Sequence, residues 1–328
     1  MPDRIPAPAA ASQPRLSGAL RRARSRWAAA AIATLLAALL GGVAAAPAAA
    51  STKQQAIFQD DDLLVYNTPA GTVSTLETLA ALGIKSIRVS VFWRLIAPQP
   101  LSKARPANFN AADPAAYPDG AWARYDQVVA DAQALGIAVN LDITSPGPLW
   151  ATGTPDRSDI AATYKPSAGE FGQFVHAVGA RYSGTYSIPG PAPPPTPPPA
   201  PPPVQPPNLL QLLLGINPNG SGSNPAPPPP APLPPATVLP RVTSWSIWNE
   251  PNQAGWLTPQ WAPDAKGRLV ETSPALYRSL VDASYAQLLQ TGHANDTILI
   301  GETAPAGSDT SRNVKRFMTP LRFIRAMY

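Results

Sequence analysis

The sequence predicts an α/β fold built on a parallel sheet. Short apolar runs rich in β-branched residues alternate with longer segments whose apolar residues recur at helical spacing. Glycine follows several of these helical segments, as is common where a helix ends. The strand-like runs are apolar almost throughout, which is typical of strands buried on both faces of a parallel sheet.

The first 50 residues predict an export signal. Six arginines precede an apolar stretch over residues 27–43, and small residues follow, so that cleavage is expected near Ala50. Arg21 and Arg22 are compatible with the twin-arginine route. An uncleaved membrane anchor through residues 27–46 is the alternative. Both alternatives predict that the rest of the chain is secreted or otherwise extracytoplasmic.

Charge and cysteine content exclude several classes of function. The net charge of +5 lies largely in the first 26 residues, so no basic surface for nucleic acid is expected. The chain has no cysteine, which excludes disulfides and thiolate chemistry. Composition leaves the oligomeric state open.

Three predicted βα units occupy residues 51–187. The strands are expected over residues 62–66, 84–93 and 137–143, and the helices over residues 72–82, 121–135 and 167–182. The acidic run at residues 60–62 is expected to be a solvated start of the first strand rather than a metal site. Arg88 lies inside the second strand, where a buried charge requires an ionised partner.

Residues 188–240 form a proline-rich, low-complexity insert. Such composition favours polyproline II and therefore a semi-rigid spacer. The insert joins a helix to the next strand. It is therefore expected at the amino ends of the strands, opposite the carboxyl ends where barrels carry their active sites. Its apolar island, residues 209–214, predicts either a short docked helix or an attachment point for a partner.

The fourth predicted strand, residues 242–248, ends in an amide, a carboxylate and a proline. Pro251 cannot continue a central strand, so Glu250 is expected at the carboxyl end of this strand. Parallel α/β barrels carry their active sites at that end. The alternative role of Glu250 is to cap the following turn. This strand begins the last predicted segment, residues 241–328.

The string from Trp248 to Asn252, WNEPN, resembles the motif of the retaining glycoside hydrolases with a (β/α)8 (TIM) barrel, the clan that includes cellulases, xylanases and β-xylosidases. The resemblance implies that Glu250 is the acid/base and that Asn249 bonds the sugar 2-hydroxyl. It places Arg88 near the nucleophile, although a structural salt bridge is an equal alternative. Carbohydrate is the implied partner, and no metal or organic cofactor is required.

The same resemblance implies that aromatic residues near the strand ends contact sugar. The candidates are Trp93, Trp150 and Trp256, and a core position is the alternative for Trp93. Half of the eight tryptophans lie between Trp245 and Trp261, which also favours a sugar-binding platform.

The remaining sequence predicts a helix over residues 274–290, a strand over residues 297–300 and a helix over residues 313–327. Glu302 follows the fifth strand and is expected to line the cleft. In the clan the nucleophilic carboxylate follows strand seven, so it is expected beyond Tyr328 and the chain is expected to be a truncated copy with about five βα units. Two alternatives are that Glu302 is the nucleophile, or that the chain is a cell-surface or wall-associated protein that binds carbohydrate without cleaving it.

Overall fold

The computed structural model describes residues 56–188, 237–309 and 312–328. The predicted export signal, with its alternative as an anchor, lies outside the described residues, as does the apolar island of the insert. Within these three ranges, no helix has the length and apolar character that crossing a membrane requires.

Nine strands occur in the described residues, and five of them form a parallel sheet in the order β1-β2-β3-β6-β9. The strands are β1 (Ile57–Phe58), β2 (Ser86–Phe92), β3 (Ala138–Thr144), β4 (Ser187–Ile188), β5 (Thr237–Val238), β6 (Ser244–Ile247), β7 (Trp261–Pro263), β8 (Leu269–Glu271) and β9 (Thr297–Leu299). The α-helices are α1 (Asp61–Leu64), α2 (Pro69–Ala81), α3 (Trp93–Ile96), α4 (Ala123–Ala134), α5 (Ala168–Arg181), α6 (Ser273–Gln290) and α7 (Pro320–Ala326).

The parallel α/β prediction is confirmed. Each strand of the sheet pairs with the one before it in the chain, which is the order found along an arc of a barrel. Within the described ranges no ladder joins β9 back to β1, so the closed barrel stays a prediction.

The two faces of the sheet differ in chemistry, although strands buried on both faces were expected to be continuously apolar. Because side chains alternate along a strand, paired residues share a face. One face carries apolar side chains that belong to the same buried cluster as helix residues: Ile87, Val89, Val91, Val139, Leu141, Ile143, Trp245 and Ile247. The other face carries polar side chains that are also buried: Arg88, Ser90, Asn140, Asp142, Thr144 and Ser246.

The prediction of a strand over residues 62–66 is wrong. The first strand is β1, two residues long, and the predicted strand is replaced by the single turn of α1. Asp60 caps that turn, because its carboxylate accepts a hydrogen bond from the backbone nitrogen of Leu63 at 3.1 Å. Asp61 accepts one from the backbone nitrogen of Ser90 at 2.9 Å. The acidic run therefore follows β1 and forms the start of helix α1.

Two further differences lie near the end of the chain. The helix predicted over residues 313–327 begins only at Pro320, because proline is tolerated in the first turn of a helix and not in its interior. The connection after β6, for which the sequence predicts no strand, contains the antiparallel ribbon β7–β8. Its strands of three residues are too short for a periodic signal.

A two-stranded stem is formed by residues at the two ends of the proline-rich insert. Strands β4 and β5 are antiparallel, with Ile188 opposite Thr237. Ile188 and Thr237, which flank residues 189–236, therefore lie next to each other, close to the start of β6. Leu239, expected within the insert, is 3% exposed and packs in the core.

Candidate active site at the carboxyl ends of β6 and β9

The backbone after β6 adopts an uncommon conformation. Trp248 has φ 67° and Glu250 has φ 41°, values in the left-handed region that non-glycine residues rarely occupy. Such residues cost about 1–3 kcal/mol each and cluster at functional sites. The conformation is held by hydrogen bonds from the backbone nitrogen of Trp248 to the oxygen of Ile143 and from that of Glu250 to the oxygen of Glu302, each at 3.0 Å.

Two donors hold the carboxylate of Glu250. Its Oε2 accepts hydrogen bonds from Nε2 of Gln253 at 2.8 Å and from Nε1 of Trp256 at 3.0 Å. The ring of Trp256 is in turn stacked with that of Phe92 at the end of β2, with centroids 6.2 Å apart and planes 8° apart. Trp256 therefore joins the ends of β2 and β6 beside the carboxylate.

Asn249 is fixed at both its backbone and its side chain. Its backbone nitrogen donates to Oγ1 of Thr144 at 2.9 Å, and its Oδ1 accepts from Nη2 of Arg88 at 3.1 Å. Because guanidinium is only a donor, this contact fixes which end of the amide is oxygen. The amide NH2 is the remaining polar end and can donate to a ligand oxygen.

Arg88 on β2 contacts residues on, or just after, the other four strands of the sheet. Besides Asn249, the guanidinium contacts Oε1 of Gln59 at 2.9 Å, Oε1 of Glu302 at 3.3 Å and Oδ2 of Asp142 at 3.2 Å. Arg88 thus has ionisable partners, as expected for a charge in a buried strand. Glu302 lies beside Asn249 and Glu250 through these contacts.

Asp142 is the most deeply buried acid of the group. Burial raises the pKa of its carboxyl from 3.8 to about 8, against the opposing attraction of Arg88 and with a further rise from the charge of Glu302. Asp142 therefore keeps its proton to a higher pH than an ordinary aspartic acid.

The structure places Trp93 in the core, away from the Glu250 group. The residue is 1% exposed, and its ring is stacked with Phe174 of α5 at a centroid distance of 5.8 Å. Helix α3 begins at Trp93 itself, where β2 ends, which takes the side chain out of the strand-end position assumed from sequence. The geometry corresponds to the core alternative, and no ring face is open to a sugar.

Trp150 is half-buried in the loop after β3. Its Nε1 donates to the oxygen of Pro98 at 3.0 Å, and its ring meets Trp93 and Phe109 edge to face. Arg105 lies 5.8 Å from the ring centroid. Within the described ranges these contacts join Trp150 to a neighbouring aromatic cluster rather than to the Glu250 group.

Several residues of the site were missed from the sequence. Gln59 and Gln253 bond Arg88 and Glu250, and neither amide stands in a recognisable pattern. Asn252 is a structural residue: its Nδ2 donates to the oxygens of Ala304 and Met318, and its Oδ1 accepts from the nitrogen of Ala304. The polar alternation in β3 was a usable signal for Asp142.

No protein-family model matches the sequence, and no curated protein matches it. Among solved structures, Fpglu1 from a Fervidobacterium species has 13% identity and a TM-score of 0.38, with 70% of this chain and 41% of that chain covered. A family 39 glycoside hydrolase from Bacteroides cellulosilyticus WH2 has 13% identity and a TM-score of 0.32, with 75% and 30% covered. The β-glycosidase of Thermosphaera aggregans has 15% identity and a TM-score of 0.35, with 70% and 42% covered. The chain thus spans less than half the length of these structures.

Proposed function

We propose that the group around Glu250 binds a β-linked poly- or oligosaccharide and hydrolyses it with retention of configuration. The observation that carries the proposal is the double restraint of two consecutive residues. Asn249 and Glu250 are each held through the backbone and through the side chain, at a strained strand end. Active sites require such preorganisation, whereas a Glu that merely caps a turn does not.

Each residue has a role in this proposal. Glu250 protonates the leaving glycosidic oxygen and later activates water. Asn249 donates its amide to the sugar 2-hydroxyl, while Arg88 keeps that amide oriented. Trp256, half-buried beside Glu250, offers an apolar edge to the sugar ring.

The nucleophile is not assigned. A retaining mechanism needs a second carboxylate about 5–5.5 Å from the first. Glu302 is the candidate within the described residues, since it lies beside Glu250 and is 29% exposed at its side chain. The predicted export signal would place the activity outside the cytoplasm.

Carbohydrate binding without cleavage is the second candidate function. It would follow if Glu302 serves only as an ion-pair partner of Arg88, because the described residues would then offer no second carboxylate for a retaining mechanism. In this case Glu250 would act only as a hydrogen-bond acceptor for sugar hydroxyls.

The experiment that tests the proposal is hydrolysis of aryl β-glycosides and β-linked oligosaccharides by the full chain. Glu250→Gln is expected to lower turnover at least 100-fold, because it removes the proton donor. Glu77→Gln, an exposed change on α2, is the matched control and is expected to keep full turnover. Equal turnover by Glu250→Gln and the wild type would contradict the assignment. Saturable binding with no released reducing sugar would favour the second function.

A further inference from the structure

Asp142 is a buried acid whose role the proposed function does not use. It lies on the polar face of the sheet, opposite Ser90 on β2 and Ser246 on β6, and it is 0% exposed. Within the described ranges neither of its oxygens has a hydrogen-bond partner. Its Oδ2 atom lies 3.2 Å from Nη2 of Arg88, within ion-pair distance.

One guanidinium therefore serves two carboxyl groups. The Nη2 atom that faces Asp142 is the same atom that donates to Asn249, and Arg88 also contacts Glu302. Two ionised carboxylates beside one buried cation leave a net negative charge in a poorly solvated place, which is costly. The charge is balanced when one of the two acids keeps its proton. Asp142 is the more buried acid, so it is the one that keeps it.

We infer that Asp142 is a positioning residue that carries a proton while the site is assembled, and that its ionisation draws Arg88 away from Asn249 and Glu302. With Asp142 neutral, the guanidinium is shared between Asn249 and Glu302. With Asp142 ionised, a second full charge competes for the same Nη2 atom. The amide of Asn249 then loses the contact that orients it.

Other groups that face Asp142 determine the pH at which this happens. Arg88 on β2 lowers its pKa, while Glu302 after β9 and Asp61 on α1 raise it. Tyr277 on α6 also faces Asp142, and burial raises its pKa above the ordinary value for tyrosine, so it stays neutral over this pH range. Burial has the largest effect and raises the pKa of Asp142 to about 8. Asn249 is thus oriented below about pH 8 and released above it.

The inference rests on the proposed function only where sugar binding is measured, so the first measurement uses no sugar. Guanidinium ¹⁵N NMR spectra of the full chain are recorded from pH 6 to pH 10, and Arg88→Lys identifies the signal of Arg88. The signal is expected to shift with a midpoint near pH 8 in the wild type and to stay constant in Asp142→Asn. A wild-type signal that does not move over this range would overturn the inference, even if the variant failed to fold.

The second measurement is oligosaccharide affinity at pH 6 and pH 9.5. The wild type is expected to bind at least tenfold more weakly at pH 9.5, whereas Asp142→Asn keeps the wild-type affinity of pH 6 at both values. Asp282→Asn, an exposed change on α6, is the matched control and should follow the wild type. Weak binding by Asp142→Asn at both values, or the wild-type slope in that variant, would contradict the positioning role. Absence of binding at every pH together with the expected NMR shift would refute the proposed function and leave the inference standing.

Discussion

The two faces of the central sheet are both buried, yet they are held in different ways. On the apolar face, side chains such as Leu141 and Trp245 pack among helix residues in one cluster. On the polar face, Arg88, Asn140 and Asp142 contact other polar groups, including Ser244 and Ser246 on β6. Burial of the apolar face stabilises the fold because apolar side chains leave water. Burial of the polar face is favourable only where contacts within the protein replace the hydrogen bonds that its groups made to water.

This difference separates residues that make the fold from residues that make the site. A buried ion pair is weak evidence for stability, because desolvation offsets the attraction of the charges. The polar face is therefore better explained by what it positions. Arg88 reaches from the polar face to Asn249, next to Glu250. Changes on the two faces should thus have different consequences for stability and for ligand binding.

Arg88→Met should have the largest combined effect on stability and ligand binding, because it removes the cation shared by Asp142 and Glu302. Leaving a buried acceptor without its donor costs about 1–3 kcal/mol. Urea denaturation should show a loss of that size, and calorimetry should show loss of oligosaccharide binding in the remaining folded protein. Unchanged binding would mean that the polar face does not position the site.

Leu141→Ala tests the apolar face alone. Leu141 is 0% exposed, and deleting a buried Leu side chain costs about 2–5 kcal/mol. The free energy of unfolding should fall by this amount, while the oligosaccharide dissociation constant stays within twofold of the wild type at a temperature where the variant is folded. A larger change in affinity would show that the two faces are not separable.

Asp142 should give stability a pH dependence of its own. Its pKa is raised from 3.8 to about 8, so between these values the folded state holds a proton that the unfolded chain releases. Stability from this group therefore falls as pH rises, by at most about 1.4 kcal/mol per pH unit. Asp142→Asn has no such pH-dependent contribution. Its free energy of unfolding relative to that of the wild type should therefore increase from pH 5 to pH 8. A constant difference would contradict the raised pKa.

The proline-rich insert should affect neither face. Its two ends lie opposite each other as Ile188 and Thr237, so residues 189–236 can be replaced by the two-residue turn Asn-Gly. Oligosaccharide affinity should be unchanged and stability should change by about 0.5 kcal/mol or less. Loss of binding in a folded deletion would place the insert at the ligand site.

The sequence was sufficient for the elements that carry strong periodicity or clear end signals. Helix α5 begins after Ser167, whose hydroxyl accepts from the nitrogen of Glu170, and residues 167–182 had been predicted to be helical. Strand β6 was likewise predictable, and it ends at Ile247, one residue before the predicted end, shortly before Pro251.

Long-range contacts explain what the sequence could not provide. The two-residue strand β1 is defined by its pairing with β2, and no local pattern marks it. Gln59 is joined to Arg88 across 29 residues of sequence, and Glu302 across 214. For Trp93 the sequence left a sugar contact and a core position as alternatives, because its position depends on the turn into α3 and on the aromatic residues of α5.

The most direct test of the central claim is calorimetric titration of the full chain with β-linked gluco-, xylo- and manno-oligosaccharides. The account predicts saturable binding of at least one of them, weakened at least tenfold by Asn249→Ala because the oriented amide is lost. Absence of binding for every oligosaccharide, or equal affinity in Asn249→Ala, would contradict the claim that the polar face orients Asn249 for a sugar.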